Sequence, residues 1–457
     1  MSEDSSILSN SSEEEGLKVG FLYLAPGISK LNLFAYFYAA FATIGLLTFI
    51  STGTAQVLNA MGIPIDEHGA ASGNLVIMTE ITQILAFGIV GVLADRIGRR
   101  EVAAVGMFVM GLGYAFYPYA ESLPELLIYR AMYGAGLGAA TGMVGTLIAD
   151  YAGDKSRAKF VAVGGIFNGI GVIFVTVIFG ANAAPMLVEA GYSPIEAMRI
   201  THWIVAGACF FSSIIYFLGL KKGTPGAKEE RPPVKELLVS GYTEAINNPR
   251  IALSYACGFV ARSDQVILGT FTVLWGSTVA VSQGADFATA SGKGALLFAI
   301  AGTTSLLFLP FLGAILDKFN RVSGVIICMT LGALGYFCMF LVDETRMFND
   351  IGFPLTTHSM VLFGALGAGQ IAAFLGATIL ISAEAPKLKR GVVVGMFNIF
   401  GAIGIFVAVA IGGTLFDVWG GFGPFVLVGL FNAIVALLAI IVRIKSPGPM
   451  PVSKSAT

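Results

Sequence analysis

The stretch G-V-L-A-D-R-I-G-R-R, Gly91 to Arg100, marks the point where a long apolar run ends and a compact cluster of charge begins. It occurs twice. Moving forward by 222 positions gives G-A-I-L-D-K-F-N-R, Gly313 to Arg321, so that Gly91 falls on Gly313, Asp95 on Asp317, Arg96 on Lys318 and Arg99 on Arg321. The second Gly of the first copy, Gly98, is replaced by Asn320 in the second. A repeat of this length in so apolar a chain predicts two homologous membrane halves.

The rest of the composition agrees. Hydrophobic residues make up 56% of the chain and charged residues 12%, against roughly 25% charged in a soluble domain, and the mean hydropathy is +0.82. The 58 glycines suit helices that must approach closely where lipid supplies no hydrophobic drive for association. A net charge of -1 argues against nucleic acid as a partner. The four cysteines, Cys209, Cys257, Cys328 and Cys338, lie in apolar runs without metal or haem spacing. The three histidines are scattered at span edges, and neither metal spacing nor a nucleophile elbow is present. The sequence therefore predicts no enzyme, no cofactor and no metal.

Residues 1–16 are rich in Ser and Glu, without a basic start or an apolar stretch, and read as a disordered tail and not a signal peptide. Apolar runs able to cross about 30 Å of hydrocarbon then fall near 33–56, 73–94, 102–119, 124–149, 160–180, 201–220, 251–279, 291–315, 323–342, 359–383, 391–416 and 422–443. That predicts twelve transmembrane helices in two pseudo-symmetric six-helix bundles. The expected division is an N-terminal tail over 1–30, one bundle over 31–220, a polar linker over 221–250, a second bundle over 251–443 and a C-terminal tail over 444–457. Further echoes support the duplication. Thr48-Phe49 falls on Thr270-Phe271 at an offset of 222, while Tyr133-Gly134-Ala135 falls on Phe363-Gly364-Ala365 and Gly165, Phe167 and Asn168 fall on Gly395, Phe397 and Asn398 at 230. The longer loop at 343–358 takes up the difference.

Lysine and arginine collect on one side. With both termini cytoplasmic, every basic residue lies in a cytoplasmic tail or loop except Arg199, Lys293 and Arg346 outside, and Arg130 and Arg262 within spans. The expected location is the cell membrane, with the chain monomeric.

The Gly91–Arg100 stretch resembles the loop signature of the major facilitator superfamily, G-x-L-a-D-r-x-G-r-[rk], which joins the second and third helices of that family on the cytoplasmic side. R-A-M-Y-G-A-G, Arg130 to Gly136, resembles its fourth-helix motif, R-x-x-x-G-x-G, whose arginine is implicated in proton coupling in several members. The resemblance covers about residues 30–443 and implies a twelve-helix transporter, with the first, fourth, seventh and tenth helices lining a central cavity. The fifth span, G-G-I-F-N-G-I-G, lacks the Gly-Pro of drug–proton antiporters, and L-K-K-G-T-P-G after the sixth lacks the P-E-S-P-R of sugar porters.

Four charges lie inside the spans: Glu80, Arg130, Arg262 and Asp264. Each costs at least about 2.5–3.5 kcal/mol at mid-bilayer, so each must face protein or water. Glu80 and Arg130 share a depth of roughly 10 Å from the outer face at 1.5 Å per residue, and an ion pair between them is expected, either as a static lock or as a titrating or substrate-facing pair. Arg262 and Asp264 are two residues apart, about 200° of helical rotation, and so point in different directions. By the resemblance, Arg262 is the candidate for an anionic group on the substrate. Asp264 is then the candidate proton carrier, since burial favours the neutral form of a carboxylate. Packing against neighbouring helices is the alternative for both. Tyr36, Thr48, Tyr133, Thr141, Asn168, Thr270, Gln370, Thr378 and Asn398 fill out a polar route, or serve as contacts between helices.

The resemblance also assigns Gly91, Asp95, Arg96, Gly98, Arg99, Asp150 and Arg157, with the weaker copy Asp317, Lys318, Arg321 and Glu384, to a charged cytoplasmic gate. Lys387, Lys389 and Arg390 lie beside that copy. The expected function is secondary active transport of a small polar or anionic solute by alternating access, coupled to protons. The alternatives are proton-driven efflux of amphiphilic compounds and a transporter-like receptor or assembly factor that binds without moving its ligand.

Overall fold

The helices begin where the sequence supplies caps. In the computed structural model, α1 (Lys30–Ala60) opens on Ser29, whose hydroxyl accepts the amide of Asn32 at 3.2 Å while the Asn32 side chain accepts the Ser29 amide at 3.0 Å. Ser122 and Pro124 start α4 (Leu123–Tyr151), and Ser193 with Glu196 starts α7 (Pro194–Gly219) through a reciprocal capping box. Asn248 and Pro249 start α9 (Pro249–Ser282), and Thr356 starts α12 (Thr357–Glu384).

The other helices are α2 (His68–Ile97), α3 (Arg99–Phe116), α5 (Arg157–Val175), α6 (Ala184–Glu189), α8 (Val234–Asn247), α10 (Phe287–Leu316), α11 (Arg321–Phe337), α13 (Arg390–Trp419) and α14 (Gly423–Lys445). A π-helical stretch, Thr176–Ala183, joins α5 to α6 and makes them one span. The structure describes residues 17–153, 156–223, 234–316, 318–349, 354–386 and 390–448. The expected tail over 1–16 lies outside them.

Twelve helices among the described residues are long and apolar enough to cross a membrane, in the two sets of six that the repeat predicts. Both ends of the described chain therefore lie on one face, the near face, opposite a far face. Two features depart from the sequence reading. The spans run past the expected boundaries, because a helix continues into the headgroup layer where polar ends are solvated. The fifth does so most clearly, since α5, the π-helical stretch and α6 reach Glu189 where the sequence reading stops at 180. The expected polar linker also contains α8, which packs on α9 and α13 through Gly241, whose carbonyl accepts the Tyr255 hydroxyl at 3.2 Å. Val239, Tyr242 and Ile246 on α8 are exposed.

Each half has an aromatic core, with Phe49, Tyr114, Tyr133 and Tyr216 in the first and Phe271, Trp275, Phe363 and Phe425 in the second. The repeat-related pairs Phe49/Phe271 and Tyr133/Phe363 are all buried. Apolar side chains such as Phe211, Leu218, Ile434 and Ile444 cover the outside, where lipid is their solvent.

On the near face a short hairpin, β1 (Lys18–Val19) and β2 (Leu22–Tyr23), precedes α1. It is tied to the end of α4: the Ala25 amide donates to the Tyr151 carbonyl at 3.0 Å, and the Gly153 amide to the Tyr23 carbonyl at 2.9 Å. The Ser156 hydroxyl also bonds the Tyr23 carbonyl at 2.7 Å. Tyr151 Oη accepts the Lys221 amide at 2.7 Å, which ties the end of α4 to the chain leaving α7.

Candidate functional site at the junction of the two halves

Arg130 projects from α4 into a cage of neutral oxygens. Its Nε donates to Thr79 Oγ1 at 2.7 Å and to the Leu75 carbonyl at 3.3 Å, and one terminal nitrogen donates to Thr54 Oγ1 at 3.1 Å. The guanidinium also sits 5.4 Å from the Tyr133 ring centroid, a cation–π contact. Thr54 reaches the Tyr117 hydroxyl at 3.0 Å. The expected ion pair with Glu80 is not formed. The reason is angular: adjacent residues on a helix are about 100° apart, and Thr79 is the one turned to Arg130. Glu80 is half-buried.

On α9 the two charges diverge. Arg262 is exposed, and its stem runs so close to α13 that a Cβ on Gly401 would come within 2.6 Å of Arg262 Cγ. Asp264 turns into the second half. Its Oδ1 accepts Asn432 Nδ2 from α14 at 2.9 Å, and its carbonyl accepts the Tyr336 hydroxyl from α11 at 2.6 Å. No solvent reaches it, and Oδ2 lacks a hydrogen-bond partner. Of the two readings offered for Asp264, proton carrier or packing group, these contacts are those of a packing group, because the rotation that points Arg262 outward carries Asp264 into the bundle.

The remaining predicted route residues divide. Tyr36 is buried among Phe37, Tyr151 and Phe160, and Tyr133 donates to the Leu47 carbonyl at 3.1 Å; both pack helices together. Thr48 bonds the Gly45 carbonyl at 2.7 Å, Thr141 that of Leu137 at 2.7 Å and Thr378 that of Phe374 at 2.8 Å, the local bonding that lets a hydroxyl sit in a helix. Gln370 is buried, Thr270 and Asn168 are half-buried and Asn398 is exposed. Asn168 keeps a buried Oδ1 without a partner.

At the near face, Gly98 separates α2 from α3 with φ +111°, a backbone region that favours glycine. Arg99, at the start of α3, pairs with Asp150 at the end of α4 and also donates to the Thr146 carbonyl at 3.3 Å. In the second half Glu384 pairs with Arg250 at 2.8 Å and accepts Asn248 Nδ2 at 3.2 Å. Each pair is internal to its half. Gly91 lies in α2, Arg96 and Lys318 are exposed, and Arg321 opens α11. Asp317, Lys387 and Lys389 lie outside the described residues, as do the side chains of Asp95, Arg157 and Arg390.

The two halves meet closely toward the far face, through residues that the sequence reading did not single out. The Gly69 and Ala70 amides, at the start of α2, donate to the two carboxylate oxygens of Asp417, near the end of α13, at 2.7 and 2.8 Å. Gly69 and Gly73 lie against Gly413 and Val409. Gln56 donates to Ser291 Oγ at 2.8 Å, and Ala55 and Val76 from the first half join the core of the second. The one advance signal was Asp417, an acid at the end of an apolar run. Thr54 and Thr79 carried none, since a threonine in a span is ordinary.

The family model described as Major Facilitator Superfamily matches residues 31–292 and 266–457. Among curated proteins, the chain is 26% identical over 415 residues to the magnetosome protein MamH of Paramagnetospirillum magneticum, covering 89% of this chain and 90% of that one. It is 25% identical over 392 residues to the magnetosome protein MamZ of the same organism, of whose length it spans 57%. It is also 25% identical over 295 residues to the 3-(3-hydroxy-phenyl)propionate transporter of Escherichia coli, with 62% of this chain and 66% of that one covered. Two solved structures share the fold. The nucleoside transporter NupG aligns with a TM-score of 0.66 and 14% identity over 92% of this chain and all of that one. The inward-open xylose transporter XylE from E. coli aligns with a TM-score of 0.62 and 17% identity over 93% and 98%. Duplicated six-helix halves, twelve spans and a family match that runs over residues 31–457 give one conclusion: this chain is a multi-pass membrane protein of the Major Facilitator Superfamily.

Proposed function

We propose that the protein is a secondary active transporter that moves a small organic anion by alternating access, with Arg262 as the anion-binding group and Glu80 as the proton site. The observation that carries this reading is the exposed guanidinium of Arg262, midway along α9, a helix that α2, with its half-buried Glu80, touches from the other half. A cation in that position needs a water-accessible passage. With the far face closed by Asp417 and its glycine neighbours, the passage opens to the near face.

Coupling follows from charge balance. A solute anion that takes the Arg262 guanidinium leaves Glu80 as an uncompensated carboxylate in a medium of low dielectric, and a proton neutralises it. Arg130, held by hydroxyls and a carbonyl, orients α2 through Thr79. The hydroxyphenylpropionate transporter among the relatives is named for a carboxylate, which supports the anionic class.

The test begins with a thermal-shift screen of purified protein against carboxylates, sugar phosphates, nucleosides, hexoses and quaternary amines at two pH values, since a ligand that binds only the folded form raises its melting temperature. The hit is then followed into proteoliposomes. Arg262→Gln is expected to lose binding of the anion, and Glu80→Gln to bind it but no longer concentrate it under a proton gradient. A response confined to cations or hydrophobic compounds overturns the substrate class. Gradient-driven accumulation by Glu80→Gln overturns the proton assignment.

A second reading concerns location. The near full-length likeness to MamH favours a magnetosome-type organelle membrane over the cell membrane, with both termini cytoplasmic in either case. Membrane fractionation with maleimide labelling of introduced terminal cysteines decides both points.

A further inference from the structure

A cleft of about 350 Å³ opens on the far face of the first half, between the end of α1, the turn at 117–121 and the start of α7. It is separate from the junction of the halves. Its walls include Val57, Met61 and Met198, but it also holds two opposite charges, Arg199 and Glu121. They do not pair with one another among the described ion pairs. Arg199 is fixed instead by stacking on Tyr119, with its guanidinium carbon 4.9 Å from the ring centroid. The Tyr119 hydroxyl in turn accepts Trp203 Nε1 at 3.1 Å.

Two unpaired charges of opposite sign in one largely apolar cleft fit a ligand that brings both charges on a short spacer. Position identifies its source. The cleft lies within about one turn of the ends of α1 and α7, at headgroup height. Ile195, Arg199 and Trp203 form an i, i+4, i+8 stripe along α7, with Trp203, half exposed, leading from the charged pair toward the hydrocarbon. Aromatic side chains anchored in this way mark the membrane interface.

We propose that this cleft binds the headgroup of a phosphatidylethanolamine lipid, with the phosphate on Arg199, the ammonium on Glu121 and the acyl chains running past Trp203. The shared chemistry, a phosphate and an ammonium two carbons apart, is also present in soluble glycerophosphoethanolamine, so the test includes both.

The full-length protein is delipidated in detergent, and its melting temperature and bound lipid mass are followed as phosphatidylethanolamine, phosphatidylglycerol or glycerophosphoethanolamine is added. Phosphatidylethanolamine is expected to bind and stabilise the protein, and phosphatidylglycerol, which lacks the cation, to do so at least about tenfold more weakly, the scale of one lost charge-assisted hydrogen bond. Arg199→Gln and Glu121→Gln should each lose about the same factor for phosphatidylethanolamine. Glu121→Gln should leave the weak phosphatidylglycerol response unchanged, and Arg199→Lys should retain most phosphatidylethanolamine binding. Equal affinity of the wild-type protein for the two lipids overturns the proposal, as does undiminished phosphatidylethanolamine binding by both Gln variants. A full response to glycerophosphoethanolamine overturns the lipid assignment.

Discussion

Gly98 and Asn320 occupy the same place in the two copies of the loop, and the backbone explains why only one must be glycine. Gly98 sits at φ +111°, where an added Cβ would collide with the Glu101 carboxylate. Asn320 sits at φ −57° and caps α11, its Oδ1 accepting the Val322 amide at 2.9 Å. Gly98→Ala is therefore expected to cost about 1–3 kcal/mol, against about 1 kcal/mol for Asn320→Ala, with thermal unfolding in detergent as the measure; a neutral Gly98→Ala would refute the backbone argument. At the far face, the Thr345 hydroxyl bonded to Asp343 holds that carboxyl below the usual carboxylate range. A depressed acid contributes its bonds above its unfolded pKa and loses them as pH falls through the folded value. Protection of the 344–346 amides, taken relative to their intrinsic exchange at each pH, should accordingly be higher at neutral pH and fall in acid, and Asp343→Asn should flatten that dependence. Side-chain azimuth was the hardest thing to read in advance. Counting from span ends placed Glu80 and Arg130 at one depth, but in the folded protein Thr79 takes the guanidinium. The divergence of Arg262 and Asp264 was legible because it depends on the difference between two positions of one helix.

Helices α2 and α13 meet backbone to backbone. Gly69 and Gly413 leave no room for side chains, since a Cβ on Gly413 would lie 2.7 Å from the Gly69 carbonyl, and Asp417 clamps the start of α2. Gly413→Val should wedge the pair apart and Asp417→Ala should unclamp it. Either should raise the rate at which Ser72→Cys, at a position now buried, is labelled by a membrane-impermeant maleimide applied from the far face. Labelling as slow as in the unwedged protein would mean that other contacts keep this end shut. The existence of the spans was plain from hydropathy, because twenty apolar residues in water have no other solution. The helix α8 was masked by the charges around it, although Val239, Tyr242 and Ile246 recur at helical spacing. The π-helical stretch had no advance marker, since its wider turn depends on packing against α1 and α10.

Duplication is a property of the whole chain and was its clearest message. How the halves lean on one another was not, because the contacts between them are made by residues unremarkable in sequence, Gln56 and Ser291 among them. If the halves rock, that far-face contact must part in each cycle. A Gln56→Cys/Ser291→Cys pair should form a disulfide on oxidation and stop uptake until it is reduced; uptake that continues through the bridge would exclude rocking at this end. The near face supplies a way to watch the same motion. The hairpin before α1 is lashed to the end of α4, with Phe21 exposed at its tip, and α8 is bolted to α9 and α13, with Thr243 exposed. Of the four native thiols, Cys209, Cys257 and Cys328 are buried and Cys338 is partly so. Fluorophores on Phe21→Cys and Thr243→Cys, in a Cys338→Ser background, would each ride one half as a rigid body. The strap at the chain's leading edge thus serves as a surveyor's mark, and energy transfer to its counterpart would time each swing of one protein molecule.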